Sequence, residues 1–109
     1  MNIKLDLEQR LWTIDNLGSL PSTTALLKIV DPIIGDLAPK EHEVSIEGLN
    51  FQADGDMLQW DHEVEAEKLP AVEYEFPEIV VESLKKHFAK KSFQDPSPLT
   101  LKMIEVFGL

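Results

Sequence analysis

Apolar residues recur with two different periods along this chain, and the change from one to the other divides it. From about Asp6 to Leu17, Leu7, Leu11 and Ile14 fall at helical spacing with Trp12 on their flank. Asp6 suits the cap of that helix and Gly18 suits its end. A second helix is predicted from Ser22 to Val30, with Ala25, Leu26, Ile29 and Val30 on one face. Pro32 lacks a backbone N–H and clashes with the preceding turn. It therefore predicts a kink or break at Asp31, with Asp31 as a new cap and a separate turn over Ile33 to Leu37. Residues 39–46 read as a short turn that Gly48 ends.

From Leu49 the period becomes two. Leu49, Phe51 and Ala53 alternate with polar residues, as do Leu58 and Trp60, and Asp54-Gly55-Asp56 lies between the runs. That pattern predicts an antiparallel hairpin of residues 49–53 and 57–61. Trp60, in phase with Leu58, is expected in the core. His62 to Lys68 shows no apolar period and reads as a mobile acidic loop, while Val72, Tyr74 and Phe76 mark a third short strand. Pro77 opens the clearest helix, running to about Ser92 with the stripe Val80, Val81, Leu84 and Phe88. After Asp95-Pro-Ser-Pro, Ser97 and Pro98 begin a last helix carrying Leu99, Met103 and Phe107. Helices kept apart from a small antiparallel sheet place the chain in the α+β class.

Composition narrows the function. A length of 109 residues with 43% apolar content predicts one domain over residues 1–109. The sequence has no cysteine, which removes disulfides, thiolate nucleophiles and cysteine-based zinc sites. That fits a reducing compartment. Met1 to Leu11 lacks the apolar run of a signal peptide, and no stretch approaches the ~20 apolar residues of a membrane span. The expectation is a soluble, cytoplasmic protein. The net charge of −10 is concentrated, since residues 41–82 hold thirteen acids against Lys68 alone. Such a field repels phosphate backbones, so direct nucleic-acid binding is not expected.

Candidate chemistry is sparse. His42 and His62 sit between acids at adjacent positions, which point away from each other and do not make a ligand set. Asp54, Asp56 and Asp61 miss the spacing of a calcium loop, because the sixth position from Asp54 is Gln59 and not glycine. No nucleophile elbow, phosphate loop or dinucleotide fingerprint is present. No catalytic, cofactor-binding or metal-binding residue is therefore assigned, and no cofactor is expected. What remains is interaction with another protein. Trp12, at the edge of its helical stripe, is one candidate. The acids Glu63, Glu65, Glu67, Glu73 and Glu75 are the others, and they would meet a basic partner surface. One alternative is an acidic mimic of nucleic acid, in which acids on one face occupy a basic groove of a host nuclease or defence protein. Another is an enzyme with an unfamiliar site.

Several segments together resemble a set of short phage- and prophage-encoded proteins without an assigned activity. They are Leu26-Leu-Lys-Ile-Val30, Leu49-Asn-Phe51, Trp60, the run Ile79-Val-Val-Glu-Ser-Leu-Lys-Lys-His-Phe88, and a terminal helix ending on Phe107. The resemblance implies a viral or prophage origin and a place in a bacterial host's cytoplasm, and it brings no catalytic residues. Pro32 departs from the uninterrupted second helix expected of such proteins.

Overall fold

In the computed structural model, which describes residues 1–20, 23–54, 57–89 and 97–109, the chain begins with a strand that its own alternation builds. Strand β1 (Asn2–Leu5) turns Ile3 and Leu5 inward and Asn2 and Lys4 outward. It pairs antiparallel with β4 (Val72–Glu75), in the register Asn2↔Glu75, Ile3↔Tyr74, Lys4↔Glu73 and Leu5↔Val72. The third strand expected near residue 72 thus exists, but its partner is the chain's opening segment and not the hairpin. The hairpin is a separate two-stranded sheet of β2 (Gln52–Asp54) and β3 (Met57–Gln59), with Ala53 opposite Leu58. Its turn residues, Gly55 and Asp56, lie outside the described residues. A bond from the Asp61 amide to the Leu49 carbonyl, 2.7 Å, closes the base of the hairpin.

Helix α1 (Leu7–Gly18) starts at a capping box. Asp6 Oδ1 accepts from the Gln9 amide at 2.9 Å, and Gln9 Oε1 accepts from the Asp6 amide at 3.0 Å. Helix α2 (Thr24–Leu37) is continuous through Pro32, so the break expected at Asp31 does not occur. The reason is the stripe Leu26, Ile29, Val30, Ile33, Ile34 and Leu37, which packs on the core from both sides of the proline. Pro32 itself is exposed, so the backbone bond it forfeits lies on the solvent side. Ala25, expected in the apolar face, is exposed.

The acidic segment expected as a mobile loop is helix α4 (His62–Lys68), which follows the short α3 (Glu41–Val44) and the hairpin. Asp61 caps α4 by accepting from the Glu63 and Val64 amides, both at 3.0 Å. Its charges follow the helix dipole, with Glu63 and Glu65 in the first turn and Lys68 in the last. Helix α5 (Glu78–Ala89) buries its whole expected stripe, Val80, Val81, Leu84 and Phe88. The expected extension of α5 to Ser92 and the break at Asp95 lie outside the described residues. Helix α6 (Pro98–Phe107) is capped by Ser97 and ends on Gly108 in the left-handed region, at φ 69°.

These elements make one α+β domain. Its main core joins Ile3, Leu5, Leu17, Val30, Leu37, Phe76, Leu84, Phe88, Met103 and Phe107 with their neighbours. Phe76 meets Phe107 edge-on at 5.2 Å in its centre. Trp60 is not part of that cluster. It is half-buried and stacks on Phe51 at 5.7 Å, forming a smaller cluster under the hairpin. Among the described residues, no helix is long and apolar enough to cross a membrane.

Candidate interaction surface

Helix α1 presents two faces with different work. Its inward face is Leu7, Arg10, Thr13 and Leu17, all buried. The expected stripe of Leu7, Leu11 and Ile14 is thus rotated, because a charged residue takes a core position. Arg10 is only 2% exposed. Its guanidinium donates from Nη1 to Glu43 Oε2 at 2.7 Å and from Nη2 to Glu43 Oε1 at 2.9 Å. Nε donates to the Leu37 carbonyl at 2.9 Å and Nη2 also to the Ala38 carbonyl at 3.1 Å, where α2 ends. Its charged carbon lies 5.7 Å from the centroid of the Tyr74 ring. Burial opposes the charge on Arg10, but the bond to Glu43 and the nearby negative groups outweigh it and hold its pKa above the ordinary value. The same bond holds the Glu43 carboxyl below the ordinary glutamate range, against its own burial and with help from the Lys40 amide. Burial pushes the Tyr74 phenol up. This arrangement is structural: all three guanidinium nitrogens donate inside the fold, locking α1 to α2 and α3, with the Tyr74 ring of β4 beside the charge.

The outward face of α1 is Glu8, Leu11, Trp12 and Asp15, spaced i, i+3, i+4 and i+7. With Leu58 and Trp60 of the hairpin and Leu99 of α6, these residues line a groove of about 240 Å³. Leu58 is 39% exposed, and Leu11, Trp12, Trp60 and Leu99 are half-buried. Both indole N–H groups are committed internally. Trp12 Nε1 donates to Thr100 Oγ1 at 3.3 Å, and Trp60 Nε1 donates to Glu65 Oε1. Trp12 also rests on Phe88 and Phe107, with ring centroids 5.6 and 6.4 Å away. The tryptophans are therefore held rigid from behind while part of each faces the groove. Glu8 and Asp15 supply its charged edge.

The sequence-derived candidates separate on this surface. Trp12 is in the groove wall. Glu63 and Glu67 are exposed and share one side of α4, four residues apart. Glu65, grouped with them when the segment reads as a loop, points the other way because two helical steps turn a side chain by about 200°. It is buried, and it accepts from the Leu7 amide at 3.1 Å as well as from Trp60. As a candidate for contacting a partner across the exposed acidic face, Glu65 is corrected to an internal anchor that ties α4 to the start of α1. Glu73 and Glu75 are exposed on the outer face of β4, opposite Lys4 and Asn2. Sequence reasoning passed over Leu11 and Leu58 as groove residues, since their apolar periodicity reads as core. The signal that could have found them is the i, i+3, i+4, i+7 set on α1, apolar in the middle and acidic at both ends.

No family model, curated protein or solved structure matches the chain.

Proposed function

We propose that this protein is a non-enzymatic interaction module that binds another protein through the groove between α1, β3 and α6. One observation carries this reading: two tryptophans and three leucines form one contiguous, partly open wall with their polar atoms already satisfied inside the fold. Rigid aromatic side chains offer large contact area at little entropic cost, which suits them as anchors. The acidic edge and the net charge of −10 favour a partner with a basic surface around an apolar anchor. Together with the resemblance to phage-encoded proteins, the reading makes a protein of a bacterial host's cytoplasm the expected partner.

A nucleic-acid mimic draws less support from the same placements. Glu43 and Glu65 turn inward, and Lys4 stands opposite Glu73, so the acids of residues 41–82 are fewer on the outside than the sequence suggests.

The test compares wild-type protein with Leu58→Glu, which puts a charge in the groove at an exposed position. A photo-crosslinking residue in place of Leu11 is expected to trap a host protein that wild-type protein retains and Leu58→Glu does not. Equal retention by both would sink the groove reading.

A further inference from the structure

The groove does not end at Glu8. That side chain also lines a second cleft of about 260 Å³, together with Asp6, His62, Glu65, Ala66, Leu69, Pro70 and Ala71. The two clefts adjoin across one carboxylate and differ in character. The first is walled by Leu11, Trp12, Leu58, Trp60 and Leu99, and the second gathers three carboxylates behind apolar walls.

We infer that the partner's docking segment is bipartite, with a bulky apolar side chain for the tryptophan groove and a nearby lysine or arginine for the cleft at Glu65. This rests on the groove being the binding site and adds what lies next to it. The argument is charge and shape. Glu65 is buried, its two oxygens accept from the Leu7 amide and the Trp60 indole, and His62 Nδ1 lies 3.8 Å from Oε1, yet each carboxylate oxygen keeps acceptor capacity beyond these contacts. Asp6 and Glu8 add negative charge at the rim. Ala66, Leu69, Pro70 and Ala71 offer an apolar path for the methylene stem of a long basic side chain, which buries its stem and keeps its charge at a polar end. A bare metal ion is a poor fit, since among the described residues no group of three or more His, Asp or Glu side chains is placed to hold one. Trp60 serves both clefts, with its ring in the first and its N–H on the carboxylate of the second. With only Glu8 between the clefts, the two partner side chains should lie on one face of the segment. That means about two residues apart if it is extended, or about three to four if it is helical.

The test selects a random dodecapeptide display library on the immobilised full chain. Selected peptides are expected to carry a bulky apolar residue with a lysine or arginine within about four positions. One such peptide, and the same peptide with norleucine in place of its basic residue, are then titrated against wild type, Glu8→Gln, Leu58→Ala and Leu58→Glu. Circular dichroism checks that each variant is folded. Both Leu58 variants should weaken both peptides, Leu58→Glu by roughly tenfold or more. Glu8→Gln should weaken the basic peptide by roughly three- to tenfold, and more at low salt, while leaving the norleucine peptide unchanged. Enrichment of apolar peptides without a basic residue, or equal effects of Glu8→Gln on both peptides, would overturn the bipartite proposal and leave the groove reading standing. Peptides that bind the Leu58 variants like wild type, or no enrichment at all, would overturn both.

Discussion

Arg10 shows how one residue can be misread from its neighbours. In sequence it is a charge between Gln9 and Leu11, and helical periodicity assigns it to solvent. Three other elements make it a core residue: the C-terminal carbonyls of α2, the Glu43 carboxylate of α3 and the Tyr74 ring of β4. None of those is visible within one helical turn of Arg10, so local pattern cannot reveal it. A buried ion pair adds little beyond an apolar pair of similar volume, yet breaking it strands a charge. Arg10→Ala is therefore expected to cost about 3–5 kcal/mol in urea unfolding, and the double variant Arg10→Met/Glu43→Leu should recover most of that loss. The pH dependence follows from Glu43. Its carboxyl is held below the ordinary range in the folded state, so its contribution to stability is present above about pH 4.5 and is lost as pH falls through the folded pKa. Stability measured between pH 5 and pH 2 should fall less steeply in Glu43→Gln than in wild type, once the two are offset by their difference at pH 7.

At the scale of elements, legibility tracked the size of the apolar face. Helices α5 and α6 appear where their periods put them, because each buries a stripe that local sequence displays, whereas the hairpin forms with strands shorter than its alternation predicts and leaves Ala53 and Leu58 exposed. Helix α4 escaped notice because its inward position is Glu65 and not an apolar residue, although Asp61 and the order of its charges spell a capped helix. Strand β1 offers only Ile3 and Leu5, too short an alternation to weigh against the adjoining helix. Helix α2 erred in the opposite direction. A proline costs about 3 kcal/mol inside a helix, but six apolar side chains packed along one face outweigh it. The same helix contains Gly35, where an added Cβ would meet nothing within 4 Å. Gly35→Ala should raise stability by about 0.5–1 kcal/mol, read from the urea midpoint at unchanged slope.

Over the whole molecule, charge and apolar surface are organised differently. The apolar groove is local and rigid, whereas exposed acids spread over α3, α4, β4 and α5. The groove should set how long a complex lasts and the acids how fast it forms, because exposed charges act through a field screened over about 8 Å at physiological ionic strength. Reversing Glu63 and Glu67 to lysine is expected to lower the on-rate for a basic partner a few-fold and to flatten its salt dependence. The off-rate should be nearly unchanged. Stopped-flow association across a salt series checks this, and an off-rate effect exceeding the on-rate effect would place α4 inside the contact itself. The pairing of β1 with β4 bears on assembly as well as on shape. Residues 2–5 find their partners only at residues 72–75, so this small sheet closes nearly the whole length of α1 to α4 into one loop. Closing a long loop costs entropy before any contact repays it, whereas the hairpin and the helices close over a few residues. On a ribosome β1 must wait for its partner strand until Glu75 has left the exit tunnel. Pulse-labelled hydrogen exchange during refolding should find the amides of the β1–β4 pair protected after those of α5 and the hairpin.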